Sequence, residues 1–202
     1  MPEPTAWISA VSGICRVVVS SIVTIFKDSF LQSKKNSKDS EFLAVQVSLL
    51  LDQYVIGCSD VVGDDGLCHG RTNEHGCRES QVAAPNFALE LLAVECKSLP
   101  AVLMNDVLSF PSKAKQVAEF VAGAGEFSDP PDHWEWFEER QYQYARLGIE
   151  AASLATRLRL HAKVSSQPFV DCDHVAYMSR RKEEIEQVRK ERDERNRLSP
   201  LS

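Results

Sequence analysis

Apolar positions recur every three to four residues along most of this chain, and that spacing predicts helices almost throughout. The first pattern is the densest. Trp7 to Phe26, WISAVSGICRVVVSSIVTIF, is twenty residues long and carries one charge, Arg16. A helix of that length spans a hydrocarbon core of ~30 Å. Ser9, Gly13, Arg16, Ser20 and Thr24 recur at spacings of three and four and form one stripe of a helix. Ile8, Val11, Ile14, Val18, Ile22 and Ile25 form the opposite face. The small residues of the stripe suit close helix–helix approach in lipid, so it is a candidate face for self-association.

Three readings fit this run. As a membrane anchor, its apolar side chains must offset Arg16, which costs ~2.5–3.5 kcal/mol at mid-span while each Val, Ile or Phe returns ~0.3–0.6. Lys27, Lys34, Lys35 and Lys38 follow the run. The positive-inside rule then places the N-terminus outside and the bulk of the chain in the cytoplasm. As a buried helix of a soluble bundle, the run would keep Arg16 at its edge, and the protein would be cytoplasmic. A cleaved signal peptide fits worst, because Lys27-Asp28-Ser29-Phe30 makes a poor cleavage site.

Beyond it, residues 32–40 form a polar, Lys/Ser-rich linker, with Asp39 or Ser40 as a cap for the next helix. Residues 41–59 have a wide apolar face. Gln46, Asp52 and Gln53 make this helix too polar for a second span. Gly63 to Ser80 lacks any period and reads as a loop. Short helices follow at 87–97, 101–108 and 112–124, with Val117, Phe120 and Val121 facing inward and breaks at Pro100 and Pro111. Asp129-Pro130-Pro131-Asp132 is the strongest helix start, Asp capping and Pro in the first turn. From it a long helix runs to about Lys163, with Trp136, Phe137, Tyr144, Leu147, Ala151, Leu154 and Leu158 inward. A last, highly charged helix occupies 173–198. Val175, Met178, Ile185 and Val188 are too few to bury it, which predicts a solvated arm.

The expected fold is therefore mainly α. A membrane-anchor helix (1–31) and a linker (32–40) precede an irregular helical bundle (41–165) with a long central helix, and a charged helical tail (166–202) follows. The net charge of −6 argues against a nucleic-acid partner. The six cysteines are scattered through 202 residues, which fits a reducing compartment better than a disulfide scaffold.

Few constellations carry chemistry. Cys68, His69, His75 and Cys77 could supply zinc ligands, but their spacing is not that of a knuckle or ribbon. Cys172 with His174, Asp171 and Asp173 has the components of a thiol site, two residues apart where a base must face its nucleophile. Glu138, Glu139 and Glu150, with His133 and His161 on the same long helix, lack the Glu-x-x-His spacing of a di-metal bundle, and the carboxylates read as a solvated face. Trp134, Trp136 and Phe137 read as a packing anchor or, if exposed, a partner surface. Neither a phosphate-binding loop nor a dinucleotide fingerprint occurs. No cofactor is implied and no catalytic signature is evident. The functional expectation is a single-pass, membrane-anchored scaffold that binds the membrane, itself or a protein partner. The alternatives are a soluble helical adaptor and a metal-binding protein using residues 68–77.

Overall fold

The computed structural model describes residues 37–88, 98–126, 128, 130–165 and 173–198. These residues are mainly helical. They form α1 (Ser37–Gly63), α2 (Ala101–Glu126), α3 (Trp134–Ala162) and α4 (His174–Leu198), with no strand among them. The run 7–26, with its stripe Ser9, Gly13, Arg16, Ser20 and Thr24, lies outside the described residues, as do Cys172 and most of the helix expected at 87–97.

α1 is the apolar centre. Leu43, Ala44, Val47, Leu51, Val55, Cys58 and Val62 recur at spacings of three and four, and each is at most 2% exposed. The linker expected over 32–40 is shorter than its composition implied, since α1 already begins at Ser37. Asp39 and Ser40 lie inside the helix, not at its cap. Ser40 turns inward to His161, with Oγ 2.7 Å from Nε2. By length and composition α1 is long and apolar enough to cross a membrane, despite Gln46, Asp52 and Gln53. Half of its most apolar window is buried inside the fold.

α3 is the spine, about 43 Å long at 1.5 Å per residue. Its predicted stripe is buried at Phe137, Tyr144, Leu147, Ala151, Leu154 and Leu158. Its start is not the expected one. Pro130 to Asp132 form a turn, with a cis Pro130–Pro131 bond, and the helix begins at Trp134 after His133 in a left-handed conformation. At the far end Lys163 is left-handed too, and its N–H reaches back to the carbonyls of Arg159 and Leu160.

α2 is one helix, not two. Pro111 lies inside it and forfeits one backbone hydrogen bond. The tertiary packing of its neighbour overrides that loss. Phe110 is 1% exposed and meets Tyr54 and Phe87 edge-on, at centroid distances of 5.4 and 4.9 Å. Of the residues expected to face inward, Val121 is buried, Val117 is half-buried and Phe120 is exposed.

α2 and α4 both run antiparallel to α3. Asp106 pairs with Arg157 and Lys113 with Glu150, and Trp136 Nε1 donates to the Val121 carbonyl. On the other side Met178 meets Gly148, Arg181 donates to Gln141, and Arg189 pairs with Glu138. α4 is therefore docked and is not the solvated arm its composition predicts. Two apolar contacts, Met178 and Ile185, are buried, and polar contacts supply the rest of the seam.

Candidate functional site

Among the described residues the most highly connected side chain is Asp64, one residue past the end of α1. Its Oδ1 accepts from the Gly66 N–H at 2.9 Å. Its Oδ2 accepts from the N–H groups of Gln81 and Val82, from Ser80 Oγ and from Arg140 Nη1. The Asp64 and Arg140 side chains are 1% and 4% exposed. Arg140 also donates to the Val82 carbonyl, and Gln141 Nε2 donates to the Asp64 carbonyl at 2.8 Å. Arg181 of α4 closes the chain of contacts on Gln141 Oε1. The Asp64 carboxylate thus ties the end of α1 and the loop as far as Val82 to α3, and Gln141, donating to the Asp64 carbonyl, carries the contact on to α4. Burial pushes the Asp64 carboxyl up in pKa, but the N–H donors of Gly66 and Val82, with Arg140, outweigh it and hold it below its usual value.

Oδ2 accepts four protein donors and Oδ1 one, so the carboxylate is held chiefly through Oδ2. An open groove of about 410 Å³ is lined by Asp64 itself together with Ser59, Asp60, Gly63, Asp65, Leu67, Gln81 and Val82. Ser59 Oγ is 2.9 Å from His174 Nδ1. Two further Ser–His contacts occur, Ser40–His161 and Ser128–His133 (2.8 Å). Each joins the start or end of one helix to that of another. Ser59 is 7% exposed and Ser40 is 4% exposed, which suits staples between helix ends better than attack on a substrate.

A second open groove, also about 410 Å³, runs between α2 and α3. Val117, Phe120 and Leu147 give it apolar surface, and Lys113, Arg146 and Glu150 give it charge.

The seam between α3 and α4 is a ladder of charge. Arg189 pairs with Glu138 at 2.9 Å and Glu139 at 2.6 Å, and Arg192 pairs with Glu138 at 3.0 Å. Burial disfavours the Arg189 charge, but the two glutamates more than compensate and its pKa is raised. Glu138 and Glu139 are therefore interface residues, 15% and 19% exposed, and not the solvated face expected of them. The Arg189 guanidinium also stacks 4.5 Å from the Tyr142 ring, and that of Arg192 lies 4.4 Å from Trp134.

The chain matches no protein-family model, no curated protein and no solved structure.

The remaining residues singled out by sequence separate. Cys68 and Arg71 form a tight backbone bridge, with His69 at a positive φ of 51°. Cys77 Sγ lies 3.8 Å from the His75 carbonyl. Among the described residues no group of three or more His, Cys, Asp or Glu is placed to hold a metal ion, so Cys68, His69, His75 and Cys77 are not brought together as a ligand set. Phe137 is core, packed over Gly66, and Trp136 is half-buried between α2 and α3. Trp134 is 41% exposed. Sequence reasoning missed Asp64 and Arg140. The available signal was register: Arg140 falls three residues after Phe137 and four before Tyr144, on the buried stripe of α3.

Proposed function

We propose that this protein is a single-pass, membrane-anchored helical protein with a scaffolding or interaction role, its helical domain on the cytoplasmic side. The observation that carries the reading is the composition of residues 7–26, an apolar run of spanning length with one charge, followed by Lys27, Lys34, Lys35 and Lys38. The described domain supports it in a second way. Its best-connected buried polar groups, Asp64, Arg140 and Gln141, join α3 to the end of α1 and the loop after it. What the domain offers is rigid helical surface, with Trp134 and the α2–α3 groove as places for a protein partner.

Flotation of the full-length protein with lipid vesicles tests the reading. The intact chain should float with the vesicles, and a Val18→Arg/Ile22→Arg variant should remain at the bottom. Equal recovery of both proteins in the bottom fraction would argue for the soluble adaptor, with the run packed against protein. Self-association is tested separately. Gly13→Leu should weaken dimers in a membrane association assay, and an unchanged signal removes the Ser9/Gly13/Ser20/Thr24 face from the account.

A further inference from the structure

We propose that the end of the bundle where α1 begins and α3 ends rests against an anionic lipid surface. This deepens the membrane-anchored reading and depends on it. Three contacts define that end. Ser40 meets His161, Glu41 pairs with Lys163, and Asp106 near the start of α2 pairs with Arg157 near the end of α3. The starts of α1 and α2 and the end of α3 therefore share one end of the domain.

That end carries apolar side chains that the fold leaves uncovered. Phe42, Val102, Leu160 and Val164 are 65, 67, 73 and 46% exposed. Large apolar groups at such exposure cost solubility unless something covers them. The cations beside them favour a headgroup layer. Lys163 is 83% exposed, Lys38 is exposed, and Lys34 and Lys35 stand three and two residues before Ser37 in the sequence. Glu41 is paired with Lys163, while Asp28 and Asp39 oppose this balance. Apolar side chains at the acyl boundary with lysines at the phosphates is the arrangement that holds interfacial elements on anionic membranes.

Chain length selects the occupant. Ten residues, 27–36, separate Phe26 from Ser37. Fully extended they reach about 33–36 Å, and less in any compact form. With residues 7–26 in the bilayer, the start of α1 is the part of the domain held nearest to it. The same tether gives the apolar end a high local concentration of lipid and gives the opposite end, around Trp134 and Arg192, little.

Lysine footprinting tests the proposal on the full chain. The protein is acylated with a water-soluble reagent in detergent, in phosphatidylcholine vesicles, and in vesicles that also contain phosphatidylserine. Lys38 and Lys163 should react several-fold more slowly in the phosphatidylserine vesicles than in detergent, while Lys115 and Lys190 keep their rates. A Phe42→Asp/Leu160→Asp variant, both positions exposed, should stay with the vesicles and lose that protection. Equal rates at Lys163 and Lys190 in carbonate-resistant vesicles would overturn the docked surface and leave the anchor intact. Release of the protein by carbonate would overturn both. Protection of Lys163 already present without lipid or detergent would mean that protein covers this end, and would overturn the proposal as well.

Discussion

Arg140 Nη1 lies 2.9 Å from Asp64 Oδ2 across 76 residues of sequence, with both side chains almost wholly withdrawn from water. The contact joins the middle of the fold to its least regular part. The segment from Asp64 to Val82 has no repeating backbone ladder of its own, so its path depends on this carboxylate and on short turns. Asn73 supplies one of these, accepting the N–H groups of His75 and Cys77 on its side-chain oxygen.

Removing one partner of this pair leaves the other buried and uncompensated. Arg140→Ala should therefore destabilise the protein by about 3–5 kcal/mol in urea unfolding. An Asp64→Asn/Arg140→Met double variant should lose less than the single change, since it strands no charge. A loss below about 1 kcal/mol for Arg140→Ala would place the pair in the class of exposed bridges and contradict its burial.

The same carboxylate sets an acid limit. Its folded pKa lies below the ordinary aspartate value of 3.8, whereas in the unfolded chain it titrates near that value. Between the two the unfolded chain binds more protons, so stability from Asp64 is complete above about pH 4 and is lost as pH falls through the folded pKa. Urea midpoints measured from pH 6 down to about pH 3 should fall more steeply for the native protein than for Asp64→Asn. Parallel curves would show that other carboxylates govern the acid limb.

Gly148 marks where three helices meet. A Cβ built there would lie 2.5 Å from Met178 Sδ and 2.9 Å from Cys58 Cβ. Met178 can move, but Cys58 Cβ is fixed to the α1 backbone. Gly148→Ala should thus cost about 1–3 kcal/mol by overpacking, although alanine is the better helix former by roughly 1 kcal/mol. A stabilised Gly148→Ala, seen as a higher Tm, would mean that α1 and α3 sit further apart than described.

α4 is held by apolar and ionic contacts that respond differently to salt. Met178 is fully buried, and Met178→Ala should cost about 2–5 kcal/mol whatever the ionic strength. Arg189 is 30% exposed, and Arg189→Ala should cost about 1 kcal/mol or less, shrinking further in 1 M salt. Hydrogen exchange of α4 amides reads both effects locally. Exchange at the intrinsic rate in the unmutated protein would restore the solvated arm.

The helical architecture was legible in the sequence because periodicity reports directly on which faces are buried. The inward positions of α3 from Phe137 to Leu158 follow from spacing alone. The failures occurred where a local signal competed with a distant contact. Pro111 is a helix breaker by its own chemistry, yet Phe110 next to it is locked between Tyr54 and Phe87. Asp129 to Asp132 has every sign of a helix start, yet Pro130 to Asp132 form a turn and the helix begins only at Trp134. α4 has too few apolar residues to dock by the usual rule. It docks through Arg181, Arg189 and Arg192, whose partners Gln141, Glu138 and Glu139 lie some 40 to 55 residues away. The polar knot was hidden for the same reason, since nothing local links Asp64 with Arg140.

Carbonate extraction of the full-length protein beside a truncated chain beginning at Ser33 tests the membrane anchor most directly. The account predicts that the intact chain stays in the pellet while the shorter one is recovered folded in the supernatant. An intact chain that is released by carbonate and runs as a monomer in water without detergent would contradict it.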